Sequence, residues 1–226
     1  MHLDLVDHLR CPRPHAAVPG GVALVCVPTR LSGRVLGEAM LGCPICHARF
    51  AVADGVAWFG DGEAPGSTSQ HVSADGAAAP DDTEVLRLAA MLNLDGPGGW
   101  VLLHGDFVAC AGALVDAFGV ATIRLMGRVA PSAVAHGSVL AGVTDVLPLA
   151  PALLRGAAFG PGTSVPLLAS AATALMPNGR LVAPVACDPP SVLGVLARDD
   201  RHWVAEPRAA PVSLRRSQPP PRTPGR

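Results

Sequence analysis

The sequence predicts an α/β fold in which a small N-terminal β unit precedes a mostly parallel sheet covered by helices. Three observations carry this expectation. Four of the six cysteines fall in the first 60 residues, beside short β-branched runs. From residue 81 onward, short apolar runs alternate with helical patterns, as a sheet buried on both faces requires. Between the two, "DGEAPGSTSQHVSADGAAAP" (61–80) is small, polar and rich in Gly and Pro, the composition of a linker. The expected units are therefore 1–60, a linker at 61–80, a larger domain at 81–207 and a Pro- and Arg-rich disordered tail at 208–226.

Each element of the larger unit has its own signal. "DDTEVLRLAAMLNL" begins with cap-type Asp81 or Asp82 and sets Val85, Leu88, Ala89 and Leu92 at helical spacing. "WVLLH" (100–104) is a buried strand, and "VACAGALVDAFG" a helix closed by Gly119. "VATIRLM" (120–126) is a second strand, "PSAVAHG" a helical turn and "SVLAGV" a third strand. "RGAAFGP" (155–161) reads as a weaker fourth strand. A helical pattern then runs toward Pro177, and "RLVAPVA" is the next strand. "GVLARDDRHWVAEP" is two strands around an Asp-Asp turn.

Composition narrows the function. The 17 basic residues are all Arg and tyrosine is absent, a pattern of GC-rich codon usage rather than of a binding surface. The net charge of −1 provides no field for nucleic acid or anionic membrane. Mean hydropathy is high at +0.37. The most apolar stretch, around residues 98–126, is nevertheless interrupted by His104, Asp106, Asp116 and Arg124, so no membrane span is expected. The N-terminus has no apolar signal core, so a cytoplasmic protein with reduced or metal-bound cysteines is expected.

The chemistry-bearing motif is "LGCPICHARFAVADGVAWF" (41–59). Cys43 and Cys46 in a C-x-x-C turn form one corner of a tetrahedral zinc site. The second corner is expected from Cys11 and His15 of "RCPRPH", on a Pro-stiffened loop, with Cys26 as the alternative to His15. Cys26 sits in the apolar run "GVALVCVP", where a thiol packs as a small hydrophobe. His47 adjoins Cys46, and neighbouring residues rarely bind one ion. Strand, turn and strand follow the C-x-x-C, which favours a ribbon over a redox pair preceding a helix.

"LVDHLRCPRPHAA" together with "LGCPICHARFAVADGVAWF" resembles the small zinc-ribbon family whose eukaryotic members bind and activate methyltransferases acting on tRNA, rRNA and release factors. The match covers about the first quarter of the chain. Leu5 to Leu9 stand for the family's leucine-rich helix and Cys11-Pro12 for the first ligand. Phe50-Ala51-Val52 and Asp54-Gly55-Val56 stand for its closing hairpin. Pro14 occupies the place of the family's second cysteine, with His15 one residue on. The resemblance implies a structural zinc and a protein partner.

"ALMPNGRLVAPVA" and "VLARDDRHWVAEP" resemble the helix–turn–strand and closing hairpin of S-adenosylmethionine-dependent methyltransferases. This implies a Rossmann-like, class I methyltransferase-like sheet. The cofactor loop departs from that family. In "LHGDFVACAG" only Gly105 keeps its place, and Asp106, Phe107, Val108 and Ala109 replace permissive positions. Gly105 and Asp106 are the candidate cofactor contacts. The second strand ends without the acidic residue that holds a ribose, Asp145 is the nearest substitute, and "AFGPGTSVP" replaces the motif after the fourth strand. His104, His136 and His202 lack a nucleophile partner, Cys110 and Cys187 read as packed thiols, and "GPGG" (96–99) precedes a strand and is no phosphate loop. The leading expectation is a non-catalytic, protein-binding or scaffolding module with zinc. The alternatives are a methyltransferase using S-adenosylmethionine through an atypical loop, and a nucleic-acid binder using the ribbon and the Arg-rich tail.

Overall fold

The computed structural model describes residues 1–15, 18, 20–60, 80–127 and 137–208. The expected linker and tail, apart from Pro80 and Arg208, and the helical turn at 131–137, apart from Gly137, lie outside the described residues.

The N-terminal segment opens with a 3-10 helix, Leu3–His8, where the resemblance implies a helix. Two antiparallel hairpins follow. Strand β1 (Val25–Ser32) pairs with β2 (Val35–Gly42), β2 with β3 (Arg49–Ala53), and β3 with β4 (Val56–Trp58). In β2, Ala39 and Leu41 are buried and Glu38 and Met40 exposed in alternation, while Leu36 is buried out of that phase, beside the irregular register with β1.

Helix α1 (Asp82–Leu92) starts where the cap signal places it: the Asp81 side chain accepts from the Thr83 N–H at 3.3 Å. Asn93, at φ 56°, ends it in the left-handed conformation. Strand β5 (Trp100–His104) has the expected bounds. The next segment differs from expectation. Residues Gly105–Cys110 form a 3-10 helix, and α2 proper is only Ala111–Phe118, closed by left-handed Gly119. Strands β6 (Ala121–Met126), β7 (Ser138–Ala141) and β8 (Leu154–Ala158) follow. Helix α3 (Val165–Ala174) is capped by the Ser164 hydroxyl, and β9 (Leu175–Pro184) begins directly after it. The stretch "LMPNG", expected as helix end and turn, instead opens β9, with an irregularity in which Asn178 is left-handed at φ 66°. Pro177 cannot continue a helix and disfavours helical geometry at Met176.

The last hairpin, β10 (Leu193–Arg198) and β11 (His202–Pro207), turns at the Asp-Asp pair. Asp199 Oδ1 accepts from the backbone N–H groups of His202 and Arg201, both at 2.7 Å, and its carboxylate pairs with Arg87 of α1. These donors, then the Arg87 charge, hold the Asp199 carboxyl down at about 2. Trp203 is fully buried and donates its indole N–H to the Cys187 carbonyl at 2.7 Å.

All eleven strands join one sheet in the order β1-β2-β3-β4-β7-β6-β5-β8-β9-β11-β10. Strands β4, β7, β6, β5, β8 and β9 run parallel, and β11 and β10 close the far end antiparallel. From β5 the chain proceeds outward through β6 to β7, then returns to place β8 on the other side of β5. This is a Rossmann-like winding with its switch point between β5 and β8. With the antiparallel hairpin it is the mostly parallel, Rossmann-like sheet expected from the sequence. β8, the weak strand of the sequence reading, is central and lies between β5 and β9.

Both faces of β5 are buried. Val101 and Leu103 pack with α1 and α2 through Val85, Leu88, Ala111 and Leu114. Leu102 faces the core that holds α3, through Leu167, Leu168 and Ala171. That same core contains Leu5, Leu9, Leu41, Phe50 and Phe59. The N-terminal hairpins thus share both a sheet and a hydrophobic core with the larger unit. Further backbone bonds tie them together: Arg10 N–H to Pro148 O at 2.9 Å, and Ala150 N–H to His8 O at 2.8 Å.

Candidate metal centre

The opening 3-10 helix buries Leu5 and Val6 and delivers Leu9 and Arg10 into isolated bridges with Leu149 and Ala23. Cys11 is held next by its N–H to Val22 O at 2.8 Å. Two prolines, Pro12 and Pro14, stiffen the run to His15. On the other side, the β2–β3 connection closes through Cys43 N–H to Ala48 O at 2.9 Å and His47 N–H to Cys43 O at 3.0 Å. His47 takes φ 57°, and the Cys46 N–H points at Cys43 Sγ at 3.5 Å. A C-x-x-C turn of this shape directs both sulfurs to one side.

The two segments meet. Donor atoms of Cys11, His15, Cys43 and Cys46 all lie within 4.8 Å of one another. Cys11 Sγ stands 3.7 Å from Cys46 Sγ, and Cys43 Sγ stands 3.5 Å from His15 Nε2. Zn–S bonds of about 2.3 Å and Zn–N bonds of about 2.0–2.1 Å give tetrahedral edges of about 3.8 Å between sulfurs and about 3.5 Å from sulfur to nitrogen. These two separations match those edges, and with all four donors within 4.8 Å of one another the set suits zinc in chemistry and spacing. Cys26 lies outside this group, in β1 opposite Leu41, with its thiol raised by burial. His47 is exposed and also outside it.

The thiols differ electrostatically. Burial pushes Cys11 up to about 12. Burial acts on Cys43 in the same sense, but hydrogen bonds from the backbone N–H groups of Cys46 and Ile45 and from the Cys46 and Cys11 side chains together hold the thiol below its ordinary value. A divalent cation would supply the missing counter-charge and displace the remaining thiol protons.

The carboxyl end of β5 is the second place where the sequence put functional residues. Gly105 is left-handed at φ +65°, and a Cβ built there would stand 3.0 Å from Gly160 Cα. The loops after β5 and β8 therefore meet backbone to backbone at the switch point. Asp106 is exposed, while Phe107 turns into the α1–α2 core and lies 5.4 Å from the His202 ring. Asp145 accepts from Ser164 Oγ, the cap of α3, at 3.3 Å. Cys110 is buried.

His104 ends β5 at this point. Thr163 Oγ1 donates to Gly160 O at 2.8 Å and lies 3.1 Å from His104 Nδ1, so the hydrogen between them belongs to the imidazole. Burial lowers the His104 pKa. The unfolded chain then binds more protons below about pH 6.5 than the folded one. The contribution of neutral His104 is complete above that pH and is lost as pH falls toward the folded value. The melting temperature should drop more steeply between pH 7.5 and 5.5 in the native chain than in His104→Gln; equal slopes would contradict this.

No family model matches the chain, and no curated protein matches it. Among solved structures, one match is a protein described as a sarcosine dimethylglycine methyltransferase from Galdieria sulphuraria, at 17% identity and TM-score 0.36, covering 44% of each chain. The chain thus spans less than half the length of that protein. Another is the antibiotic-resistance methyltransferase Kmr, at 11% identity and TM-score 0.38, covering 56% of this chain and 93% of that one. Matches this loose assign no activity. Among the described residues, no helix is long and apolar enough to cross a membrane.

Proposed function

We propose that the chain is a non-catalytic, cytoplasmic protein-binding or scaffolding module, with a structural Zn²⁺ clipping its N-terminal hairpins onto a methyltransferase-like sheet. Cys11, His15, Cys43 and Cys46 would hold the ion. Four protein donors complete a tetrahedron, and no coordination position remains for a reacting group. When bound, the metal supplies folding free energy rather than chemistry.

The observation that carries this reading is the Gly105–Gly160 contact. In an open α/β sheet a ligand enters outside the carboxyl ends of the strands at the switch point. Here backbone meets backbone there. A second reading, a methyltransferase with an atypical loop, draws on the left-handed turn kept at Gly105 and the exposed Asp106 beside it.

Isothermal titration with S-adenosylmethionine separates the two. The first reading expects no saturable heat up to millimolar ligand. Binding in the micromolar range, lost in Asp106→Ala, would overturn it in favour of the second.

A further inference from the structure

Arg124 lies on β6, two residues before its carboxyl end. Its register partners are Leu103 on β5 and Val139 on β7, both fully buried. Met126, next on the same face, packs against the cluster of Val56, Val139 and Ala141. Thr122, the preceding residue on that face, is covered by Gly137, where an added Cβ would come within 2.2 Å of its hydroxyl. A guanidinium therefore stands in an apolar strip of the sheet.

Its Nε and Nη2 atoms are sealed from solvent and have no hydrogen-bond partner among the described residues. None of the ion pairs among the described residues involves Arg124. Burial depresses the Arg124 pKa, the response expected of a cation lacking a counter-charge. The two orphaned atoms form one edge of the guanidinium. Their parallel N–H groups match two oxygens of a carboxylate or a phosphate. This edge lies one strand from the switch point, toward the end of the sheet where ligands enter.

We propose that the Nε–Nη2 edge of Arg124 is an oxyanion receptor that takes the carboxylate or phosphate group of a small-molecule ligand as a bidentate pair. It is independent of the metal centre and compatible with either reading of the function. The test is thermal unfolding of the full chain in Tris chloride, with acetate or inorganic phosphate replacing chloride at constant ionic strength.

At ten or more times the dissociation constant, either anion should raise the native melting temperature by about 3 °C or more. A rise with acetate alone identifies a carboxylate ligand, and a rise with phosphate alone a phosphoryl ligand. Arg124→Met should show neither rise, and in chloride it should melt at or above the native temperature because it removes an unpaired buried charge. Arg124→Lys keeps the charge but loses the fork, and should retain less than half of the rise. General salting effects would move the native chain and Arg124→Met alike. Equal shifts in the two, or no shift in the native chain, would overturn the proposal. So would a marked fall for Arg124→Met in chloride, because the arginine would then already be paired within the chain.

Discussion

Cys43→Ser should cost the protein its metal and a large part of its stability. The native chain is expected to carry one equivalent of zinc, and the variant none. Cys43 is the thiol already held lowest by its turn, and it contacts both His15 and the Cys46 N–H. Losing it opens the centre from the side of β2 and β3. Structural zinc supplies about 10–16 kcal/mol to isolated zinc-finger peptides, where it does nearly all the work of folding. Here Leu5, Leu9, Leu41 and Phe50 contribute apolar burial as well, so the expected loss is smaller, on the order of 4 kcal/mol. For a chain of this size that is a fall of about 8–16 °C in melting temperature. Chelation of the native protein should reproduce it, and excess zinc should reverse the chelated state but not the variant. An unchanged melting temperature in both cases would refute a structural role for the metal.

The second large effect is expected at Gly142. Strand β4 ends and β7 ends side by side, with Phe59 N–H bonded to Ala141 O at 2.8 Å. One residue further on, Gly142 takes φ +71°, and a Cβ there would stand 2.6 Å from Gly60 N and 2.8 Å from Gly60 Cα. Both atoms are backbone, so no side chain can yield. Gly142→Ala must adopt a left-handed conformation and also push the N-terminal hairpins away from β7. We expect a loss of about 3 kcal/mol, roughly 6–12 °C in melting temperature. Gly33→Ala is the control. It also has a positive φ, +57°, but nothing lies within 4 Å of its Cβ position. It should cost only the conformational penalty, about 1 kcal/mol. Equal losses at the two positions would mean that the β4–β7 junction is not tight.

Local signals in the sequence located what is local in the fold. The cap at Asp81, the run "WVLLH" and the Asp-Asp turn each carry a signal within a few residues, and helix, strand and hairpin stand where those signals put them. The cluster of Cys11, His15, Cys43 and Cys46 is also legible, because C-x-x-C spacing and a Pro-stiffened C-x3-H are chemical patterns. What escaped is non-local. Pairing of β4 with β7 joins Val56 to Val139 across a long stretch of chain, and parallel pairing leaves no periodicity to read. The weak run "RGAAFGP" is central because small residues at Gly156, Ala157 and Ala158 admit close packing: a Cβ at Gly156 would meet Leu92 at 3.0 Å. The helix expected from residue 108 gave way to a 3-10 turn at Gly105–Cys110, where Phe107 seeks the core. In the sequence, Arg124 is only an interruption of an apolar run. Its significance depends on Leu103 and Val139, which only the register brings alongside.

The proposed structural role requires a closed, four-donor zinc centre. X-ray absorption at the zinc edge of the purified protein tests this directly. The expected result is one equivalent of zinc with three sulfurs at about 2.3 Å and one nitrogen at about 2.0–2.1 Å, and no oxygen in the coordination shell. A zinc-free protein, or a metal with fewer than four protein donors and a bound water, would contradict it.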